Sequence, residues 1–176
     1  MLIVNRINID TQLKKIEELY SDSLANSHDL LLPKLYAKLY IIETCGWIEE
    51  TTDSILSKSY LDRYNINNPN SQSLIKKNYS FDYDSLKKMN MNILGIKNFS
   101  IIDMKMKKKL DNAKTYPNFS DFKGSLTFLK KERDRIAHTQ TTGHTQNITA
   151  PSLIIPHFNK IVIALKIFEN EVDRLR

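Results

Sequence analysis

The sequence predicts an all-α protein, a helical bundle of four main helices with extra short helices, in a single domain spanning residues 1–176. Three observations carry that expectation. Apolar residues recur three and four apart through long stretches of the chain, which is the spacing of one helix face. Alternating apolar and polar runs, the mark of strands, are almost absent. With 176 residues, 41% of them hydrophobic and 26% charged, the chain is long enough to bury one core and too short for two comfortable ones.

The first helix is expected over "TQLKKIEELYSDSL", with Asp10 as its N-cap and Leu13, Ile16, Leu19 and Tyr20 as its apolar face. A long second helix should begin near Pro33, a residue tolerated in a first turn, and run to Tyr64. "NINNPNSQ" then stops it, because Asn and Pro cluster there. In the middle third, "FDYDSLKKMNMNILG" offers Asp82 or Asp84 as a cap and Gly95 as a stop, followed by a short basic piece around "IIDMKMKKKLDNA". "TYPNFSDF" is a further break, after which Ser120 or Asp121 should cap the helix that runs into "FLKKERDRIAH". A polar loop, "TQTTGHTQNITAP", precedes the last helix, whose Ile154, Phe158, Ile161, Leu165, Phe168, Val172 and Leu175 alternate four and three apart as the seam of a bundle does.

Lys and Arg outnumber Asp and Glu by 26 to 20, giving a net charge of +6 and a pI of about 9.3. That balance favours a polyanionic partner such as nucleic acid without marking a site. No signal-peptide pattern opens the chain and no stretch approaches the roughly 20 apolar residues of a membrane span, so a cytoplasmic protein without membrane contact is expected. The single cysteine, Cys45, rules out an intrachain disulfide and defeats C-x-x-C zinc arithmetic; between Ile41 and Ile48 it reads as a buried thiol. His138, His144 and His157 have no zinc spacing, and no metal or cofactor is expected. His28 and His157 read as structural. The densest charge run, Lys105, Lys107, Lys108 and Lys109, is either a solvated face or an RNA contact.

One residue breaks the pattern. Counting back from Ile136 by threes and fours gives Arg133, Leu129, Leu126 and Phe122, so an arginine stands in an apolar stripe. A permanently charged guanidinium there must be paired or must face a cleft. The second helix offers partners, because its Leu35, Leu39, Ile42 and Gly46 form a similar stripe that continues into Glu49 and Asp53. Glu49 is the first candidate to orient Arg133; Glu43, Trp47 and Glu50 line a neighbouring side. The pair is then either a structural ion pair between helices or part of a polar pocket where helices or protomers meet. His138 follows five residues later, where β-branched and polar residues and Gly143 should fray the helix. It is either a favourable charge at the helix end or a group released to work beside Arg133.

"RDRIAH", Arg133 to His138, resembles the R-x4-H signature of the HEPN superfamily of all-α ribonucleases, with the polar Asp134 beside the arginine and the small Ala137 before the histidine. "LYIIETCGWIEETTDSIL", "FDYDSLKKM" and "AHTQTTGHTQNITAPS" extend the likeness to the RiboL-PSP-type branch over nearly the whole chain. Asp134 departs from it, since many members carry Asn there.

The resemblance implies a metal-independent RNA endonuclease in which the ribose 2′-OH attacks the adjacent phosphorus and leaves a 2′,3′-cyclic phosphate. Arg133 and His138 would be catalytic, with Asp134, Glu49, Glu43, Thr139 and His144 in support; Lys130, Lys131, Arg135, Lys107 and Lys108 are the candidate nucleic-acid contacts. It also implies a homodimer whose composite site joins both copies of the motif. The helix ends around Arg133 to Thr139 and the second helix should form that interface. The implied setting is a toxin–antitoxin or antiviral defence system with an antitoxin or defence partner. The alternative is a catalytically inactive RNA-binding or dimerisation scaffold of the same fold.

Overall fold

A computed structural model describes residues 3–26, 30–62, 73, 75, 80–112, 117–137 and 147–175. They form six α-helices and, among the described residues, no strand: α1 Ile7–Asn26, α2 Leu31–Leu56, α3 Tyr83–Leu94, α4 Ile96–Asn112, α5 Phe119–Ala137 and α6 Pro151–Asp173, with a π-helical segment Ser57–Asp62 continuing α2. One buried apolar cluster draws on all six helices, from Val4 before α1 to Val172 near the end of α6.

Several ends differ from the sequence expectation, each for a local reason. Asp10 does not cap α1. The helix begins three residues earlier, where the Asn5 side chain accepts the Ile7 N–H at 3.0 Å, and Asp10 sits in the first turn paired with Arg6 at 2.7 Å. α2 starts two residues before Pro33 and passes into the π-helical segment at Ser57; Tyr64, the expected end, lies outside the described residues. Asp82, rather than Asp84, caps α3 by accepting the Ser85 N–H at 3.0 Å. The basic piece after Gly95 is not short. α4 has 17 residues against 19 in α5, because Gly95 ends α3 at φ +81 while its carbonyl accepts the Phe99 N–H at 3.0 Å and starts the next helix. α5 is capped by Asn118, whose side chain takes the Asp121 N–H at 2.8 Å while Asp121 reaches back to the Asn118 N–H. Ser120 has no part in it.

α6 follows the expected seam. Ile154, Phe158, Ile161, Leu165, Phe168 and Val172 are all buried, and the edge of Trp47 meets Phe158 with ring centroids 5.2 Å apart. By length and mean hydropathy of 1.3, α6 is also the one described helix that could cross a membrane, which the composition did not anticipate. Its last turns carry two buried carboxylates. Glu169 accepts the Ile3 and Val4 backbone N–H groups, and Glu171 gathers Lys105, Lys109 and Arg174. Burial pushes the Glu171 carboxyl up, but the lysines outweigh it and hold it below its usual value.

α2 is the helix that the stripe argument misplaced. Its buried side is Tyr40, Ile41, Thr44, Cys45, Ile48, Thr52 and Ile55, packed against α1, α5 and α6. Leu35, Leu39 and Ile42 are 42%, 40% and 51% exposed. The helix is apolar on nearly every side, so periodicity could not choose its inner face. Cys45 is buried as expected; burial pushes its thiol up to about 12, and Sγ donates to the Leu129 carbonyl at 3.9 Å, tying α2 to α5.

Candidate functional site

α5 buries Phe122, Leu126, Leu129 and Ile136, and Arg133 fills the gap in that row. Its side chain is 25% exposed and is held on three sides. The guanidinium lies over the buried Phe81 ring, 5.1 Å from the centroid, which supplies an apolar seat and cation–π attraction. Nη1 donates to Glu49 Oε1 of α2. Nε lies 3.6 Å from Asp134. Glu49 is thus the partner that the sequence reasoning chose first.

Phe81 had no visible role in the sequence. Asp82 fixes it by capping the next helix: burial raises that carboxyl, but hydrogen bonds from Ser80 and Ser85 and the charge of Lys130 outweigh it and hold it at about 2. Lys130 lies 3.7 Å from Asp82 and 3.8 Å from Asp134, so charges alternate from Asp82 through Lys130, Asp134 and Arg133 to Glu49. Lys130 therefore stands between two carboxylates rather than open to a phosphate. One turn beyond Glu49, Asp53 is pushed up to about 6 by burial and then by the Glu49 charge. Three carboxylates, Glu49, Asp82 and Asp134, lie against two cations, Arg133 and Lys130.

Arg135 is engaged within the fold. It donates to the Asn147 carbonyl at 2.7 Å, to Glu132 at 2.6 Å and to the Thr149 hydroxyl at 3.4 Å, while Thr149 also donates to Glu132. Burial raises the Glu132 carboxyl, but these donors outweigh it and hold it below its usual value. The end of α5 and the residues leading into α6 are thereby clamped. The chain thus enters and leaves 138–146 at one place, held by Arg135. His138, Thr139 and His144 lie outside the described residues, as does His28.

The other candidates are elsewhere. Glu43 does not join Arg133; with Glu50, Trp47, Ile9, Gln12, Ile42 and Gly46 it lines a groove of about 280 Å³ between α1 and α2, because it projects from α2 more than a quarter turn away from Glu49. Lys131 is exposed. Lys105 and Lys109 share one side of α4 and turn to Glu171, leaving Lys107 and Lys108 exposed. That end of α4 meets the start of α5, where Asp111 accepts the Phe119 N–H at 3.0 Å. Fourteen residues separate Phe119 from Arg133, about 21 Å along the helix, so Lys107 and Lys108 are not brought to the arginine. His157 stacks on Phe128 with centroids 4.1 Å apart and meets the Ser125 hydroxyl at 3.1 Å; burial lowers its pKa, as suits a structural imidazole. Among the described residues, no group of three His, Cys, Asp or Glu side chains is placed to hold a metal ion.

Comparison with family models, with curated proteins and with solved structures finds no match for this chain.

Proposed function

We propose that the protein is a metal-independent RNA endonuclease in which Arg133 steadies the scissile phosphate and His138 moves protons. One observation carries the reading: a guanidinium on the core-facing row of α5, seated on Phe81 and oriented by Glu49, stands where the chain passes into His138. Arginine binds two phosphate oxygens at once and keeps its charge throughout. Histidine, with an ordinary pKa of roughly 6.5, can take the proton of the attacking 2′-OH or return one to the departing 5′-oxygen. Each chain brings one such histidine, and two proton transfers are needed, so a second copy completes the site. The HEPN resemblance of "RDRIAH" supports the same chemistry. A toxin or antiviral effector, cytoplasmic and restrained by a partner, is the corresponding setting.

The test uses purified protein and a fluorescent RNA. His138→Ala should lower cleavage by roughly 100-fold or more with helical content unchanged, while His144→Ala keeps most activity. Cleavage should persist in EDTA, yield 2′,3′-cyclic phosphate ends and fail on RNA with 2′-deoxyribose at the scissile position. Full activity in His138→Ala removes the reading. A second reading, an RNA-binding or dimerisation scaffold without catalysis, is favoured by the three carboxylates against Arg133 and Lys130, which oppose a polyanion. It predicts no cleavage by wild type and no growth defect on expression.

A further inference from the structure

The groove between α1 and α2 holds two carboxylates that the fold does not use. Glu43 and Glu50 both line its volume of about 280 Å³. Among the described residues neither makes a hydrogen bond or an ion pair, whereas Glu49 beside them is paired with Arg133. Seven residues of helix set the two about 10 Å apart along α2 and within roughly 20° of one line, one at each end of the groove. Between them lies Gly46, in the middle of a 26-residue helix where glycine is unfavourable relative to alanine. A Cβ built there meets no atom within 4 Å, so the missing side chain is part of the open space. Ile42 and Trp47 flank the glycine, and Ile9 and Gln12 complete the groove from α1.

The spacing of the charges says what fits. The two carboxylates stand too far apart to share one metal ion, whose oxygen ligands lie only about 2–2.6 Å from it. A lysine or arginine side chain brings a single charge and satisfies one of them. An extended chain of single bonds advances about 1.2 Å per bond, so about nine bonds carry an ammonium group at each end from one glutamate to the other. The apolar stem of such a chain lies in the trough at Gly46 against Ile9 and Ile42. A charged nitrogen midway meets the Trp47 ring, which attracts cations, and the Gln12 amide oxygen, which accepts an N–H. Arg6, the cation over the Phe158 ring that Trp47 also meets, is already committed to Asp10 and Asn159. We propose that this groove binds a linear aliphatic polyamine, with its terminal ammonium groups on Glu43 and Glu50 and its stem over Gly46. The volume lies just below the usual range of small-molecule sites, which starts at about 300 Å³, as suits a thin unbranched ligand. The site stands whether or not the protein cuts RNA.

Trp47 is the one tryptophan of the chain, so its emission reports on the groove in the whole protein without a label. Spermidine, whose terminal nitrogens are about nine bonds apart, should change that emission saturably. Putrescine, about five bonds long, reaches one carboxylate at a time and should bind about 10-fold more weakly. Magnesium chloride should leave the emission unchanged. Glu43→Gln and Glu50→Gln should each weaken spermidine binding by about fivefold. Gly46→Leu should weaken it by about 30-fold or more, because leucine favours the helix but fills the trough. Asp84→Asn, at an exposed acid of α3, is the control and should bind as wild type does. The absence of a saturable response, equal affinity for the two amines, or glutamate variants that bind like wild type overturns the proposal. Should circular dichroism show that Gly46→Leu does not fold, the two glutamate variants decide. The titrations contain no RNA, so their outcome is independent of the cleavage assay.

Discussion

Arg133 and Glu171 are charge-reversed versions of one arrangement, placed at the two ends of the bundle. At one end a cation from an apolar row is surrounded by acids; at the other an acid from an apolar row is surrounded by cations. They differ in burial. Glu171 is 1% exposed, and the three cations around it are the exposed parties. Arg133 is partly exposed, and so is its partner Glu49 at 33%. A fully buried carboxylate cannot change partners without a large desolvation cost, so the Glu171 cluster acts as a fixed staple of α4 to α6. A part-exposed guanidinium whose partner also reaches water can exchange a carboxylate for a phosphate at a smaller cost than a buried one, because solvent shares in solvating both charges.

That contrast is sharpest in its largest expected effect. Arg133→Ala should reduce RNA cleavage by about 100-fold or more and move the melting temperature by no more than about 4 °C; a large loss of stability with cleavage intact would make Arg133 the staple. Glu171→Ala should do the opposite, costing about 2 kcal/mol, or roughly 4–8 °C in melting temperature, with cleavage per folded molecule preserved. Between them lies Arg135. Its substitution by alanine frees one end of the segment that carries His138, and a drop of about 10-fold in cleavage with binding of RNA little changed is expected. Uniformly weaker RNA binding instead would restore Arg135 to the phosphate contacts.

The smallest effect concerns pH. Asp53 titrates at about 6 in the fold against an ordinary 3.8, so its protonated form is favoured by folding. That contribution is complete below pH 4 and is lost as the pH rises through about 6. Asp53→Asn should therefore raise the melting temperature by about 2–4 °C at pH 7.5 and leave it unchanged at pH 4. A gain of the same size at both values would assign the effect to packing.

How much of this was legible in the sequence follows from local physics. The α6 seam could be read because its apolar positions never break the four-three spacing and its outer side is polar enough to define an inner one. Glu49 was found because a charge inside an apolar arc needs a counter-charge, and it stood in such an arc. Glu43 shares a side with Trp47 and Glu50, as their spacing gave, and stands off Arg133; the outward side of α2 was taken for a seam because a helix apolar all round leaves its orientation to the neighbours that pack on it. Phe81 was invisible because a single aromatic before a cap has no periodicity to betray it. The extent of α4 was hidden by its lysines, which look like a loop's charge run until Glu171, more than sixty residues away, takes two of them.

The clamp of Glu132, Arg135, Asn147 and Thr149 has a consequence for how the chain tolerates being cut. Joining the ends of a nine-residue connection already costs about 2 kcal/mol in closure entropy, which the clamp and the packing of α5 on α6 offset from outside the connection. A backbone break within 138–146 removes the closure cost and, among the described residues, none of the contacts that join the two helices. The fragments 1–137 and 147–176 should accordingly recognise each other when mixed, and a rearranged chain order opened within 139–146 would place its new termini after α5 and before α6 with His138 still following Ala137.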